Sequence, residues 1–233
     1  MGRMEFDETY KILFASAEVV PFAKTGGLAD VAGSLPKALA TYGNDVRIVM
    51  PRYARIQPTR TIGDFPVQVG YRKETAILRE GEIEARMDGV FRKIPVYFID
   101  NYHYFDRDQI YGYWDEAERY AFFCRAVLEM TKMLGFKPDI IHCNDWQTGP
   151  IPLLLKEQYQ WDPFFRGIGT VFTIHNLRYQ GNFPKETLHL LGLGDGYFTP
   201  ERLEFYGNIS FMKAGLLWSD VLNTVSRTYA EEI

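Results

Sequence analysis

Residues suited to chemistry gather at a few points of this chain, and the first is the segment Lys24-Thr25-Gly26-Gly27. Adjacent glycines let the backbone approach a ligand closely. A helix starting near Leu28 would aim unpaired N–H groups at the same place. Lys24 adds a mobile positive charge, so the loop suits a phosphate. It is neither a Walker loop, because no Gly-Lys-Ser/Thr follows, nor a G-x-G-x-x-G turn. The competing reading is a tight turn with a solvated lysine, and local sequence leaves both open. Asp145 could orient sugar hydroxyls or exchange a proton. It could equally cap the helical segment near Thr148. His175, followed by Asn176, Tyr179 and Gln180, is either a structural histidine or part of the same site. A metal site from His142, Cys143, Asp145 and His175 is disfavoured, since neighbours on one strand point to opposite faces. No close pair of carboxylates of the hydrolase kind is evident.

The elements that must position these residues follow a βαβ rhythm. Lys11–Ala17 reads as a buried strand, Leu28–Tyr42 as a helix stopped by Gly43, and Val46–Met50 as a second strand ended by Pro51. Strand, helix, strand implies a parallel sheet. Residues 60–99 alternate instead, around the Asp88-Gly89 turn signal. They predict antiparallel hairpins at an edge or insertion, with Val96–Ile99 a buried strand. A helix is expected over Glu116–Met133, closed by Gly135 and Pro138. Strands are expected at Asp139–Cys143, Gly169–Ile174 and Val221–Val225, with helical faces at Ile151–Gln158 and Ile209–Trp218. Residues 177–205 read as irregular. The tyrosines at 102, 104, 111 and 113, with Trp114, form an aromatic cluster, a stacking platform or, for most members, a small core beneath a loop. In open parallel sheets ligands bind at the carboxyl ends of strands. Glu18 and the glycine loop, Asn144-Asp145-Trp146, His175-Asn176 and Ser226 all fall there.

Composition narrows the function classes. The 233 residues are 46% hydrophobic and 24% charged, enough for a sizeable core. The formal net charge of −4 argues against a general nucleic-acid binder. No apolar run is long enough for a membrane span. The mixed, acidic residues 1–7 read as neither a signal nor a transit peptide, so the cytoplasm is the expected compartment. Cys124 and Cys143 are too far apart for a C-x-x-C pair and read as two buried thiols. Ser226 looks like an N-cap and Glu231-Glu232 suit a first helical turn, yet the chain stops at Ile233. A fragment of a longer protein is expected.

Four segments together carry a resemblance. Residues 17–31 (AEVVPFAKTGGLADV) resemble the N-terminal signature of bacterial glycogen synthases and plant starch synthases. His142-Cys143-Asn144-Asp145-Trp146-Gln147 resembles their H-x-x-D-W element. Residues 173–181 (TIHNLRYQG) resemble T-[IV]-H-N-x-x-Y-Q-G, and residues 224–230 (TVSRTYA) resemble T-V-S-P-T-Y. Arg227 replaces the usual proline, at a first helical position where proline is favoured but not required. The resemblance implies an α/β fold: a Rossmann-like parallel sheet with helices on both faces and a β-hairpin insertion. Residues 1–233 would be the N-terminal half of a two-domain GT-B retaining glycosyltransferase, its C-terminal nucleotide-binding domain absent from this chain. It implies glucose transfer from ADP-glucose to the non-reducing end of an α-1,4-glucan, without cofactor or metal ion. Lys24, Gly26 and Gly27 would approach the donor phosphates. Asp145, His175 and Asn176 would hold the transferred glucose, with Tyr111, Tyr179 and Gln180 at the same pocket and Glu18 at the cleft rim. The fragment alone would have little activity. A stand-alone glucan- or nucleotide-binding module, or a related transferase using another nucleotide, are the alternatives.

Overall fold

The computed structural model describes residues 8–58, 60–87 and 89–233. Its first half runs β1 (Lys11–Ala15), α1 (Gly27–Thr41), β2 (Asp45–Pro51), β3 (Arg60–Val69), β4 (Arg72–Met87) and β5 (Val90–Asp100). Then come α2 (Tyr102–Phe105), α3 (Glu116–Met133), β6 (Ile140–Asn144), α4 (Pro150–Leu154) and β7 (Gly169–Ile174). The last part holds β8 (Asn182–Phe183), β9 (Glu204–Phe205), β10 (Asn208–Ser210), α5 (Phe211–Trp218), β11 (Val221–Thr224) and α6 (Arg227–Glu232).

Eight strands form one sheet in the order β11-β7-β6-β1-β2-β5-β4-β3. From β11 to β5 neighbours are parallel, whereas β4 is antiparallel to both β5 and β3. In β1 every residue from Ile12 to Ala15 is buried, and β6 is buried from Ile141 onwards. Consecutive burial requires cover on both faces, which the crossover helices of a parallel sheet provide. β3 alternates exposed and buried residues from Phe65 onwards, as a strand covered on one face does.

Two expectations are corrected, while the antiparallel hairpins lie at the edge of the sheet as the alternation predicts, joined to it because β5 is one continuous strand. Its first half pairs with β4 alone, and from Val96 its other side also takes Ile48 of β2 in parallel register. Gly89 has φ 77° at the turn between them, while its partner in the turn signal, Asp88, lies outside the described residues, as do residues 1–7. Residues 177–205 are not wholly irregular: β8 and β9 flank β10 in a small antiparallel sheet. The helical run after α4 continues through a π-helical turn, Leu155–Tyr159. At the end of the chain Ser226 caps α6 as expected, its hydroxyl accepting from the Tyr229 N–H at 3.1 Å.

The sheet order sets the site. β1 leads through α1 to β2 on one side, while β6 lies on the other, so the connections diverge between β1 and β6. A crevice opens at the carboxyl ends of strands at such a switch point. The residues just past β1 and β6 include Glu18 and Asp145.

Candidate active site

A cleft of about 750 Å³ lies at the carboxyl ends of β1, β6 and β7. Glu18, Gly26, Gly27, Tyr111, Asp145, His175, Asn176 and Tyr179 all line it, so eight residues singled out in the sequence meet on one wall system. Lys24 and Gln180 do not. Lys24 pairs with Asp30 at 2.7 Å, both side chains about half exposed. Gln180 serves its own loop: its amide donates to the Leu177 carbonyl at 3.2 Å, and its carbonyl accepts from the Met212 N–H at 3.0 Å.

Asp145 is the first residue past β6 and has φ 57°, a left-handed conformation costly for a residue other than glycine. The turn is over-determined around it. The Thr148 hydroxyl accepts from the Asn144 N–H at 2.6 Å and lies 3.1 Å from the Asp145 carbonyl. The side chain is no helix cap. Its Oδ1 accepts instead from the N–H groups of His175 at 2.7 Å and Asn176 at 3.3 Å. Oδ2 has no bond to the described residues and is left for a ligand. Burial pushes the Asp145 carboxyl up to about 6; the two N–H bonds oppose this and the nearby Glu18 charge adds to it.

His175 is oriented by Asn144. The Asn144 amide donates to the carbonyls of Ala15 at 3.0 Å and His142 at 3.3 Å, so its oxygen faces His175 Nε2 at 2.9 Å. That acceptor assigns the proton to Nε2 and leaves Nδ1 as an acceptor. Burial lowers the His175 pKa to about 4, so the ring is neutral at physiological pH. His142 stands apart, its ring edge-on to Phe14 and its Nε2 2.6 Å from the Thr173 hydroxyl. Among the described residues no group of three or more His, Cys, Asp or Glu is placed to hold a metal ion.

Glu18 corrects an expectation. It is not at the rim but 3% exposed. Oε1 accepts from the hydroxyls of Thr25 and Tyr111, each at 2.7 Å. Oε2 accepts from the N–H groups of Thr25 and Gly26. The carboxylate therefore ties the glycine loop to the aromatic segment, and it occupies N–H groups that the sequence reading assigned to a phosphate. The aromatic cluster divides accordingly. Tyr104 is buried, Tyr111 reaches the cleft, and Tyr102 and Trp114 face solvent. The carbonyl before Tyr111, that of Ile110, accepts from buried Arg119 at 3.1 Å.

α1 begins at Gly27 without a side-chain cap. A Cβ added at Gly26 or Gly27 would meet no atom of the chain within 4 Å. The fold itself does not require glycine there; the open space in front of the helix end does, if a ligand enters it. Gly181 is the opposite case. It has φ 60°, and a Cβ would lie 2.5 Å from the Trp146 ring on the cleft wall.

Residues 11–233 match the family described as the starch synthase catalytic domain. The chain belongs to that family. It is 64% identical to a glycogen synthase of Desulforudis audaxviator over 98% of this chain and 47% of that protein. A glycogen synthase of Moorella thermoacetica is 56% identical over 96% of this chain and 45% of the relative. Among solved structures, the catalytic domain of starch synthase IV from Arabidopsis thaliana bound to ADP and acarbose matches with TM-score 0.86 and 32% identity. That match covers 97% of this chain and 46% of the other. The chain thus spans about half the length of the curated relatives it matches, and its architecture is that of the N-terminal half of a GT-B glycosyltransferase. Among the described residues no helix is long and apolar enough to cross a membrane.

Sequence reading gave no site role to Gln147 and Val225 on the cleft wall, and none to the Thr25 side chain. Thr25 lay within the singled-out loop, but its bond to Glu18 spans seven residues and leaves no local pattern.

Proposed function

We propose that this starch synthase-family chain is the sugar-holding half of a cytoplasmic ADP-glucose-dependent glucan synthase. The enzyme adds glucose to the non-reducing end of an α-1,4-glucan, retains configuration and needs no metal ion. A second Rossmann-like domain beyond this chain binds most of the nucleotide. The observation that carries the reading is the corner formed by Asp145, His175 and Asn176. There one carboxylate oxygen is fixed by two backbone N–H groups, the other makes no bond to the described residues, and the neutral imidazole of His175 lines the same cleft. Such a corner suits a sugar with several hydroxyls. The ADP and acarbose of the starch synthase IV structure support the same ligand classes.

Expulsion of the nucleoside diphosphate builds negative charge on the leaving group and positive charge on the sugar ring. The unpaired N–H groups of α1, from Gly27 onward, face the first. The Asp145 carboxylate stabilises the second. The cleft wall carries two carboxylates, Glu18 and Asp145, and no lysine or arginine. A diphosphate needs more positive charge than that. Lys24 supplies part of it from the rim by leaving Asp30, and the second domain supplies the rest.

The test is chain extension of a maltooligosaccharide by the full-length protein. Transfer from ADP-glucose, well above that from UDP-glucose and unchanged by EDTA, is the expected result. No transfer from any nucleotide-glucose would leave a non-catalytic binding module. Lys24→Ala in that protein is expected to lower turnover about tenfold or more while leaving thermal stability within about 1 kcal/mol, because an exposed ion pair contributes little to the fold. Turnover and melting temperature of the variant, measured together, check this; unchanged turnover would remove Lys24 from the donor site.

A further inference from the structure

Gln147 is a buried polar residue of the cleft wall whose side chain makes no hydrogen bond to the described residues. It is 5% exposed and sits in the short 3-10 turn Trp146–Thr148, directly after Asp145. Its neighbours are satisfied several times over. Asn144 uses its N–H and both ends of its amide, Asp145 accepts two N–H groups, and the Thr148 hydroxyl makes three contacts. The backbone of Gln147 is also held, its carbonyl 3.1 Å from the buried Cys124 thiol. By contrast, Gln147 Oε1 is buried with no hydrogen-bond partner, and the amide nitrogen makes no bond to the described residues.

A buried amide without partners costs stability, so folds rarely retain one unless something else completes it. Replacing it by an apolar side chain of the same length would remove that cost. The position is on the wall of the cleft that Asp145 also lines, two residues further along the chain. Glu18 and Asp145, when ionised, can only accept hydrogen bonds. An amide offers what they lack, a donor beside an acceptor, and a half-turn of the group exchanges the two. A sugar hydroxyl donates and accepts in the same way.

We propose that Gln147 is a donor-sugar binding residue: its amide pairs with one hydroxyl of the glucose held against Asp145 and discriminates sugars at that hydroxyl. The inference rests on the glucosyl-transfer reading above. It makes Gln147 a contact for substrate and assigns it no part in proton transfer.

The experiment uses the full-length enzyme, its Gln147→Met and Gln147→Leu variants, ADP-glucose, and ADP-glucose analogues each lacking one sugar hydroxyl. Met keeps the unbranched shape, and Leu guards against a fault specific to Met. The variants are expected to melt at or above the wild-type temperature. Their kcat/KM for ADP-glucose should fall about ten- to thirtyfold. Against one deoxy analogue the loss should vanish, because wild type and variant then lack the same hydrogen bond, while the other analogues keep it. A folded variant with wild-type kcat/KM would overturn the proposal. So would equal losses against every analogue. Loss of folding or a clearly lowered melting temperature in both variants would assign Gln147 to the fold and overturn it as well. Wild-type enzyme inert towards ADP-glucose would instead sink the glucosyl-transfer reading, an outcome visible before any variant is compared.

Discussion

Asp145→Asn in the full-length enzyme is expected to cut turnover by about a hundredfold or more, and to raise thermal stability above pH 6. The two effects have one cause. Burial holds the folded carboxyl near 6, above its ordinary 3.8, so folding favours the neutral form. With the folded value raised, the stabilisation is fully present below pH 3.8 and is lost as pH rises through 6. At pH 7 to 8 the wild type therefore carries an ionised carboxylate at a cost on the order of 2–3 kcal/mol. Asparagine keeps the oxygen that accepts from His175 and Asn176 and has nearly the same shape as aspartate, so it asks nothing new of the backbone. The melting temperature of the variant should exceed that of wild type by several degrees at pH 8, and the gap should close by pH 4. Turnover of the wild type should rise through pH 6 as Asp145 ionises, and the variant should lack that limb. A variant as active as wild type would leave Asp145 a purely structural residue. A variant less stable at pH 8 would contradict the burial argument.

Much of the architecture is legible because it depends on local pattern. The helix at 116–133 and the strand at 169–174 have the boundaries that periodicity predicts, and Gly43 stops the first helix with φ 99°. The strand-end rule then selects most of the cleft, since Asp145, His175 and Glu18 all follow strands. What escaped depends on contacts between distant segments. β8 and β9 have two residues each, too few to show alternation, and exist because β10 pairs with both. β5 reads as two elements because residues 91–93 are exposed while every residue from Val96 to Asp100 is buried. Tyr111 is one of five aromatics of a cluster, and only the family resemblance singles it out for the pocket. Nothing near it in sequence reports that its hydroxyl meets Glu18, 93 positions away. The glycines of the loop Lys24-Thr25-Gly26-Gly27 line the cleft. The loop's charge balance was not legible, because Glu18 fills part of it and Asp30 holds the lysine.

That correction shapes the second large effect, at Gly27. Gly27→Ala is expected to stabilise the protein slightly while lowering kcat/KM for ADP-glucose at least about tenfold. Gly27 is the first residue of a 15-residue helix, and a Cβ there meets nothing within 4 Å. Alanine in a helix is favoured over glycine by up to about 1 kcal/mol, and it loses less backbone entropy on folding. Nothing in the fold therefore opposes the substitution. A bound phosphate would oppose it, because the methyl group would stand in the space before the helix end that the phosphate needs to reach the N–H groups. Glu18 makes the position specific. Its carboxylate already takes the N–H groups of Thr25 and Gly26, so the first donors left for a ligand begin at Gly27. Alanine at Gly27 should thus weaken donor use more than alanine at Gly26, and more in KM than in kcat. Melting temperatures and steady-state kinetics of the two single variants decide it. If Gly27→Ala keeps wild-type kcat/KM, the phosphates do not meet the end of α1, and the glycine pair is a matter of loop geometry alone.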